Sequence, residues 1–347
     1  MRAQFLYYKT FTRIVISTVT IFRNSLNILF FFLIFGPNAF AQTERNEVFR
    51  FLEMPSSAWA SALGGNQVAI FEGNSSLMHI NPAYLDESSA KTVSATFVNY
   101  LADARYGFAN YAVHQPSIGT IGIGVRYAGY GVLTEYDING TDLGDLNAGD
   151  LAINGTISTQ LSTKLRAGAG IDYIHSSYGE YVSSAFTGTA GLYYMDQESR
   201  FSAGLAIRNL GDQLSYFNDT RENLPFDVSI GFSKKPEKFP FQLAVTIRQL
   251  NNWDLRVPGE TSAPSFGDQL FRHIIFGGEA ALGRNFKLRF GYNRWQLDQT
   301  KIKENFDFAG ASIGVGINLK KVEVDLSRSS MSDIGGILQL SVRTKTH

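Results

Sequence analysis

The chain is 347 residues long, with 31 basic and 31 acidic side chains and no cysteine. Zero net charge gives no bulk attraction to nucleic acid, and the lack of thiols excludes a disulfide framework or a thiolate metal site. The 33 glycines, 9 prolines, 13% aromatics and mean hydropathy of −0.08 do not describe a helical membrane protein. They suit a membrane barrel, in which lipid-facing residues alternate with polar, lumen-facing ones.

In chain order, the first element is a targeting segment. Arg2, Lys9, Arg13 and Arg23 precede the apolar run Ile28–Phe35, and Ala39-Phe40-Ala41 follows. A basic stretch, a short apolar core and an A-x-A site describe a secretory signal peptide. Cleavage is expected after Ala41, leaving Gln42 as the mature start. The apolar core is too short to span a bilayer comfortably as an anchor.

The next segment, 42–89, precedes the strands. Pro55 and Ser56 mark a turn into a short helix around Ala58. Leu63-Gly64-Gly65 stops that helix and lets the backbone pass close to another surface. Asn81-Pro82 starts a second turn, with the Asn side chain as cap and Pro fixing φ; Ala83 and Leu85 follow.

From residue 90 to the end, alternation with a period of two replaces helical periodicity. Phe286, Leu288, Phe290 and Tyr292 share one face, with Lys287, Arg289 and Asn293 on the other. Phe241–Arg248, Val322–Ser327 and Leu338–Arg343 alternate in the same way. Further strands are read at Ala90–Leu101, Arg105–Gln115, Gly119–Tyr136, Asp150–Ser162, Lys164–His175, Tyr181–Asp196, Arg200–Leu210, Phe226–Lys234, Phe271–Leu282 and Phe308–Leu319. The total is about 14, the even number expected of a single-chain bacterial barrel. Many are about 10 residues or longer, as a tilted bilayer-spanning strand requires. Asp103-Ala104, Ser162-Thr163, Leu282–Arg284 and Lys320 read as short turns. Asp137–Gly149, Gly211–Leu224 and Trp253–Gln269 read as long polar loops. Tyr127, Tyr130, Tyr193, Tyr194, Tyr292 and Trp295, near strand ends, suit interfacial girdles. The fold expected is all-β: a transmembrane antiparallel barrel over 90–347 with a short N-terminal plug. A secreted soluble sandwich or propeller also alternates, but no blade repeat is visible.

Residues that carry chemistry are sparse. His79, His114, His175, His273 and His347 show no metal-ligand spacing, and no G-x-S-x-G elbow is present. The spaced glycines Gly119, Gly122 and Gly124, Gly168 and Gly170, and Gly314 and Gly316 lie inside strand patterns without a following helix. They read as small residues on one barrel face that make room for a plug or ease curvature. No catalytic, cofactor or metal site is expected. Tyr216, Phe217, Trp253 and Phe266 are apolar residues in polar loops, equally suited to anchoring a partner or to packing inside the loop.

The elements L-x-x-P-x-S-A from Leu52, Ala62-Leu63-Gly64-Gly65 and Asn81-Pro82-Ala83-Tyr84-Leu85 resemble the start of the PorV/PorQ family of the Bacteroidetes type IX secretion system. That family is itself similar to the FadL long-chain fatty acid transporters, and this chain looks most like its PorQ branch. One departure is the C-terminal Arg343–His347, where many outer-membrane barrels end in an aromatic residue. The resemblance implies a FadL-like barrel in the cell outer membrane, with the N-terminal segment folded into the lumen, and no enzymatic activity. It implies partners in the surface attachment complex, PorZ and PorU with PorV as a further candidate, beside lipid and lipopolysaccharide, and no nucleic acid. The alternative is a FadL-type channel for hydrophobic small molecules.

Overall fold

The computed structural model describes residues 47–137, 139–257, 260–300, 308–331 and 335–345. The signal peptide and its cleavage site lie outside the described residues. Fourteen strands form one closed antiparallel barrel. They are β1 (Thr92–Asn99), β2 (Arg105–Gln115), β3 (Gly119–Tyr136), β4 (Asp142–Ser162), β5 (Leu165–Tyr178), β6 (Tyr181–Asp196) and β7 (Phe201–Ser215). The circuit continues through β8 (Asp227–Lys234), β9 (Phe241–Ile247), β10 (Ile274–Leu282), β11 (Phe286–Asn293), β12 (Ala311–Leu319), β13 (Val322–Ser330) and β14 (Gly336–Lys345). Each strand pairs with its neighbours in sequence, and β14 closes on β1 with Leu340 opposite Phe97. Closure leaves no unpaired edge within the wall, the condition for a sheet to cross lipid.

The wall is inside out relative to a soluble protein. In β1 the buried face carries Thr92, Ser94 and Thr96, while Val93 and Phe97 are exposed. In β13 Glu323, Asp325, Ser327 and Ser329 face inward and Leu326 outward. Ile123, Ile153, Ile171 and Ile313 extend the exposed apolar surface around the circumference. A belt of this kind is unfavourable in water and fits a bilayer.

The two rims differ. One carries short turns at 116–118, 163–164, 197–200, 235–240, 283–285 and 320–321. The other carries the connections 216–226, 248–273 and 294–310 and the tips of the longest strands. Some sequence expectations shift here. Asp137–Gly149 is mostly strand, because β4 starts at Asp142 and pairs with β3 up to Tyr136. β7 likewise runs on to Ser215. The turn containing Asp103-Ala104 lies on the long-loop rim. Two helices break the all-strand reading: α2 (Phe266–His273) and α3 (Arg294–Thr300), after the plug's α1 (Ala58–Ala62). With 8 and 7 residues, α2 and α3 are shorter than the window in which helical periodicity stands out. Tyr127 and Tyr292 face outward as girdle residues do, but Tyr193 and Trp295 are buried in the protein and Tyr130 turns inward, its hydroxyl on Asp150.

Candidate functional site

The chain between Glu47 and Lys91 runs through the lumen from rim to rim. It starts among the long loops, where the Val48 amide donates to the Asn223 carbonyl at 2.9 Å. It leaves at the short-turn rim into β1. Ser57 caps α1 by accepting from the Ala60 amide, and the helix buries all five of its residues. Its outer contacts are polar: the Ala58 amide donates to Ser341 Oγ at 2.8 Å, and Trp59 Nε1 donates to Glu279 Oε2 at 3.2 Å. Gly64 ends the helix at φ 86°, where only glycine avoids strain, and an added Cβ there would meet the Tyr292 amide nitrogen at 2.9 Å.

At several points where the plug passes closest, the wall carries inward glycines. A side chain on Gly204 would strike the Val68 carbonyl, one on Gly168 the backbone of Pro82, one on Gly191 the Asn81 side chain, and one on Gly291 the backbone of Leu63 and Gly64. Gly122 faces Met78 and Leu85, and Gly314 faces Ala62. Gly170 and Gly316 instead abut wall side chains, Thr156 and Asp325, and Gly119 takes a turn φ of 120°.

The motif residues therefore act in two ways. Ala58, Leu63, Ala83 and Leu85 are buried packing residues, and Gly64 and Gly65 give close approach. Pro55 offers its carbonyl to Gln339, and Ser56 Oγ donates to the Ser76 carbonyl at 2.6 Å. Asn81 accepts from the Ala83 amide at 3.0 Å and donates to the Leu192 carbonyl at 3.1 Å, so one side chain caps the Pro82 turn and ties it to β6.

An ionic cage that the sequence reading did not single out clamps the plug near the short-turn rim. Glu72 pairs with Lys287 and Arg289, and Arg343 donates to the carbonyls of Glu72 and Gly73 at 2.9 and 2.7 Å. Arg289 is fully buried and also reaches Glu279 and Asp325. Burial pushes the Glu72 carboxyl up, but Arg289, Lys287 and Arg343 outweigh it and hold it below its ordinary range. Glu72, Glu323 and Asp325 come close enough to share a cation, yet these three basic side chains already answer them. The signal was present in the sequence as charges on the inward phase of β11, β13 and β14. Their mate in the plug was not readable.

On the other side of the plug, His79 Nε2 lies 2.7 Å from Asn110 Oδ1. Burial, then the nearby Arg126, push its pKa down to about 4, so the ring is neutral and Nε2 carries the proton. At the long-loop mouth a cavity of about 370 Å³ is lined by Phe51, Met54, Tyr100, Tyr106, Tyr130 and Trp295 with Arg50, Asn66 and Arg248.

Of the loop residues, Phe217 packs inward against Tyr178, with ring centroids 5.4 Å apart, and joins the buried cluster of Phe49 and Phe51. Tyr216, Trp253 and Phe266 are exposed, Trp253 and Phe266 close together at 6.1 Å. The structure thus separates the four: Phe217 packs inward, whereas Tyr216, Trp253 and Phe266 keep exposed faces, with Trp253 resting on the His273 ring.

No family profile matches the sequence, and no curated protein does. Solved structures match the fold. A TodX monoaromatic hydrocarbon channel variant lacking S2 and S3 aligns at TM-score 0.54 and 12% identity, over 84% of this chain and 99% of that one. A TodX variant lacking S2 aligns at TM-score 0.52 and 13% identity, over 84% and 99%. A FadL homologue from Pseudomonas aeruginosa aligns at TM-score 0.48 and 12% identity, over 85% and 98%. The first two establish a shared barrel architecture at identities that carry the fold alone. The transmembrane-type antiparallel barrel of about 14 strands expected from the sequence is the fold found.

Proposed function

We propose that the chain is an outer-membrane anchor of a type IX secretion system, which holds a protein of the surface attachment complex by its external rim. The observation that carries this reading is a ribbon standing clear of the wall. β2 stops pairing with β3 at Gly129, and β5 stops pairing with β4 at Ala148. Beyond those points β3 and β4 pair with each other for roughly 20 Å at about 3.3 Å per residue, with one further backbone bond at the base, from the Gly179 amide to the Asn147 carbonyl. Val132 and Tyr136 are 66% and 62% exposed there, beside exposed Leu133 and Leu143. Glu135, Asp137, Asp142 and Asp145 make the ribbon acidic, and no Lys or Arg lies between Arg126 and Lys164. Two free strand edges, apolar side chains and negative charge suit a protein partner with a basic, strand-forming surface. The clamped plug supports the same reading, because an anchor gains from a sealed lumen.

The second reading is a conduit for hydrophobic small molecules. The aromatic cavity at the mouth favours it, as does the fold shared with barrels described as monoaromatic hydrocarbon channels. A mild-detergent pull-down from the native membrane separates the two. Recovery of PorZ- or PorU-like surface proteins with the intact chain, and their loss when the ribbon is removed, is the expected result. A barrel recovered alone with a bound hydrophobic molecule overturns the anchor in favour of the conduit.

A further inference from the structure

The side of the barrel from β8 to β11 is short. Its strands have 8, 7, 9 and 8 residues, where a tilted spanning strand needs about 9–11. On β10 the outward residues run from Ile274 to Leu282. At about 3.3 Å per residue and a tilt near 40° that gives roughly 20 Å of height, against an apolar band of about 25 Å. The chain reaches Ile274 directly from α2, with no linker between helix and strand.

α2 is amphipathic in the reverse sense. Gln269, Arg272 and His273 face the protein and are buried, whereas Phe266 and Phe271 are 72% and 51% exposed. The polar face is pinned at every residue. Gln269 Oε1 accepts from the Leu255 amide at 3.0 Å, and Arg272 pairs with Glu260 at 2.7 Å and Asp298 at 2.9 Å. The His273 ring sits 2.7 Å from the Arg248 carbonyl and 3.1 Å from that of Trp253. The helix therefore cannot roll to hide its phenylalanines. Trp253 stacks on His273 at 4.5 Å and remains 45% exposed beside Phe266. The charged member of the outward arc, Asp268, lies at its margin, where it takes a hydrogen bond from the helix cap Ser265.

We infer that α2 and Trp253 are a membrane contact: they lie in the headgroup and upper acyl region of the leaflet on the long-loop side and complete the apolar belt where the strands fall short. The occupant of this face is lipid, not protein. Continuity with the outward row of β10, the deficit in strand height and a tryptophan at the boundary all point the same way. This rests on the membrane-spanning reading of the barrel, so the experiment carries its own reference for that reading.

The chain has no cysteine, so single labels are unambiguous. Nitroxides at Phe266→Cys and Phe271→Cys are compared with Phe276→Cys in the belt and Leu143→Cys on the ribbon, in phosphatidylcholine nanodiscs. Collisions with oxygen and with a water-soluble nickel chelate report depth. The expected result is that 266 and 271 move from the Leu143 ratio towards that of Phe276. If both match Leu143 while Phe276 stays lipid-like, the inference is wrong and the face is free for a protein. Failure at Phe276 would instead break the barrel reading. Should a label at α2 prevent folding, quenching of the unlabelled chain by phosphatidylcholine brominated high on the acyl chain tests the same contact. Trp59 and Trp295 are buried, so the quenchable emission is that removed by Trp253→Phe, and no quenching of it refutes the lipid contact.

Discussion

The wall has a long side and a short side, and they meet the external rim in different ways. β3 to β7 run 14 to 21 residues, and β8 to β11 run 7 to 9. On the long side the surplus length becomes a ribbon that continues the sheet beyond the wall. On the short side the chain turns into loops and helices, held together by the ion pairs of Arg272. The interior differs as well. On the long side Arg126 of β3 pairs with Asp172 of β5 at 2.6 Å and reaches the plug through the Leu52 carbonyl, and Arg166 of β5 pairs with the plug's Asp86 at 3.1 Å. On the short side Arg289 serves three carboxylates, Glu72, Glu279 and Asp325. Strand length thus sets what each side offers outside, and the inward charges set how firmly each side holds the plug.

The largest effect follows from that contrast. Removing one member of a buried ion pair costs about 3–5 kcal/mol, because the partner is left charged and unanswered. Arg289→Ala leaves Glu279 and Asp325 without their basic partner, while Glu72 keeps Lys287, and the loss should lie near the top of that range. Arg126→Ala strands only Asp172 and should lie near the bottom. Urea unfolding in detergent, followed by strand circular dichroism, checks the order. Arg289→Lys should not restore stability, since one ammonium does not reproduce a planar fork that reaches three acids. Equal losses for the two alanine variants would mean that the cage is no more than another pair.

The two sides also separate by pH. His79 packs against β2 and β3 on the long side, with Asn110, Arg126 and Asp172 around it. Its folded pKa of about 4 lies below its ordinary 6.5, so the unfolded chain takes up a proton that the folded chain refuses. Its contribution is complete above pH 6.5 and is lost as the pH falls towards 4. Glu72, held below its ordinary 4.5 by the short-side cations, contributes fully above that value and loses its share only further down. Between pH 6.5 and 5 the slope from these two plug groups therefore belongs to His79, and it amounts to about 2 kcal/mol at about 1.4 kcal/mol per pH unit. The urea midpoint of His79→Gln should lose that slope, whereas Glu72→Gln should keep it and flatten the region below pH 4.5.

How much of this was legible in the sequence depended on whether the signal was local. Lys287, Arg289 and Asn293 against Leu288, Phe290 and Tyr292 identify a half-lipid strand, because period two is written along the chain itself. β2, β3 and β6 fall at the limits expected for them. The small residues at Gly122, Gly168 and Gly314 suit either room for a plug or eased curvature, and the sequence does not say which plug atoms they admit. Pairing between distant segments was unreadable. Nothing near Glu72 names Arg289, and nothing near Asn81 names Leu192. The reversal of α2 was hidden for a related reason. Phe271 and Phe276 look alike in sequence, and only the burial of Gln269, Arg272 and His273 shows which way the helix faces.

The smallest effect expected concerns the ribbon. Apart from the Asn147 carbonyl, which accepts from the Gly179 amide at 3.0 Å, its backbone bonds close within β3 and β4, its side chains are mostly exposed, and a free two-stranded hairpin is at best marginally stable. Tyr130, which stacks on Tyr178 at 5.7 Å, lies at its base and belongs to the wall. Replacing residues 131–147 by Asn-Gly keeps that stack and leaves a tight turn suited to hairpin twist. Folding stability should stay within about 0.5 kcal/mol of the full chain, as for surface changes that touch no core. Partner recovery in the pull-down should nevertheless be lost. A drop of more than about 1 kcal/mol would make the ribbon a structural continuation of the wall. The long side would then have no device of its own for reaching a partner, and the docking surface would have to be sought among the remaining loops of that rim.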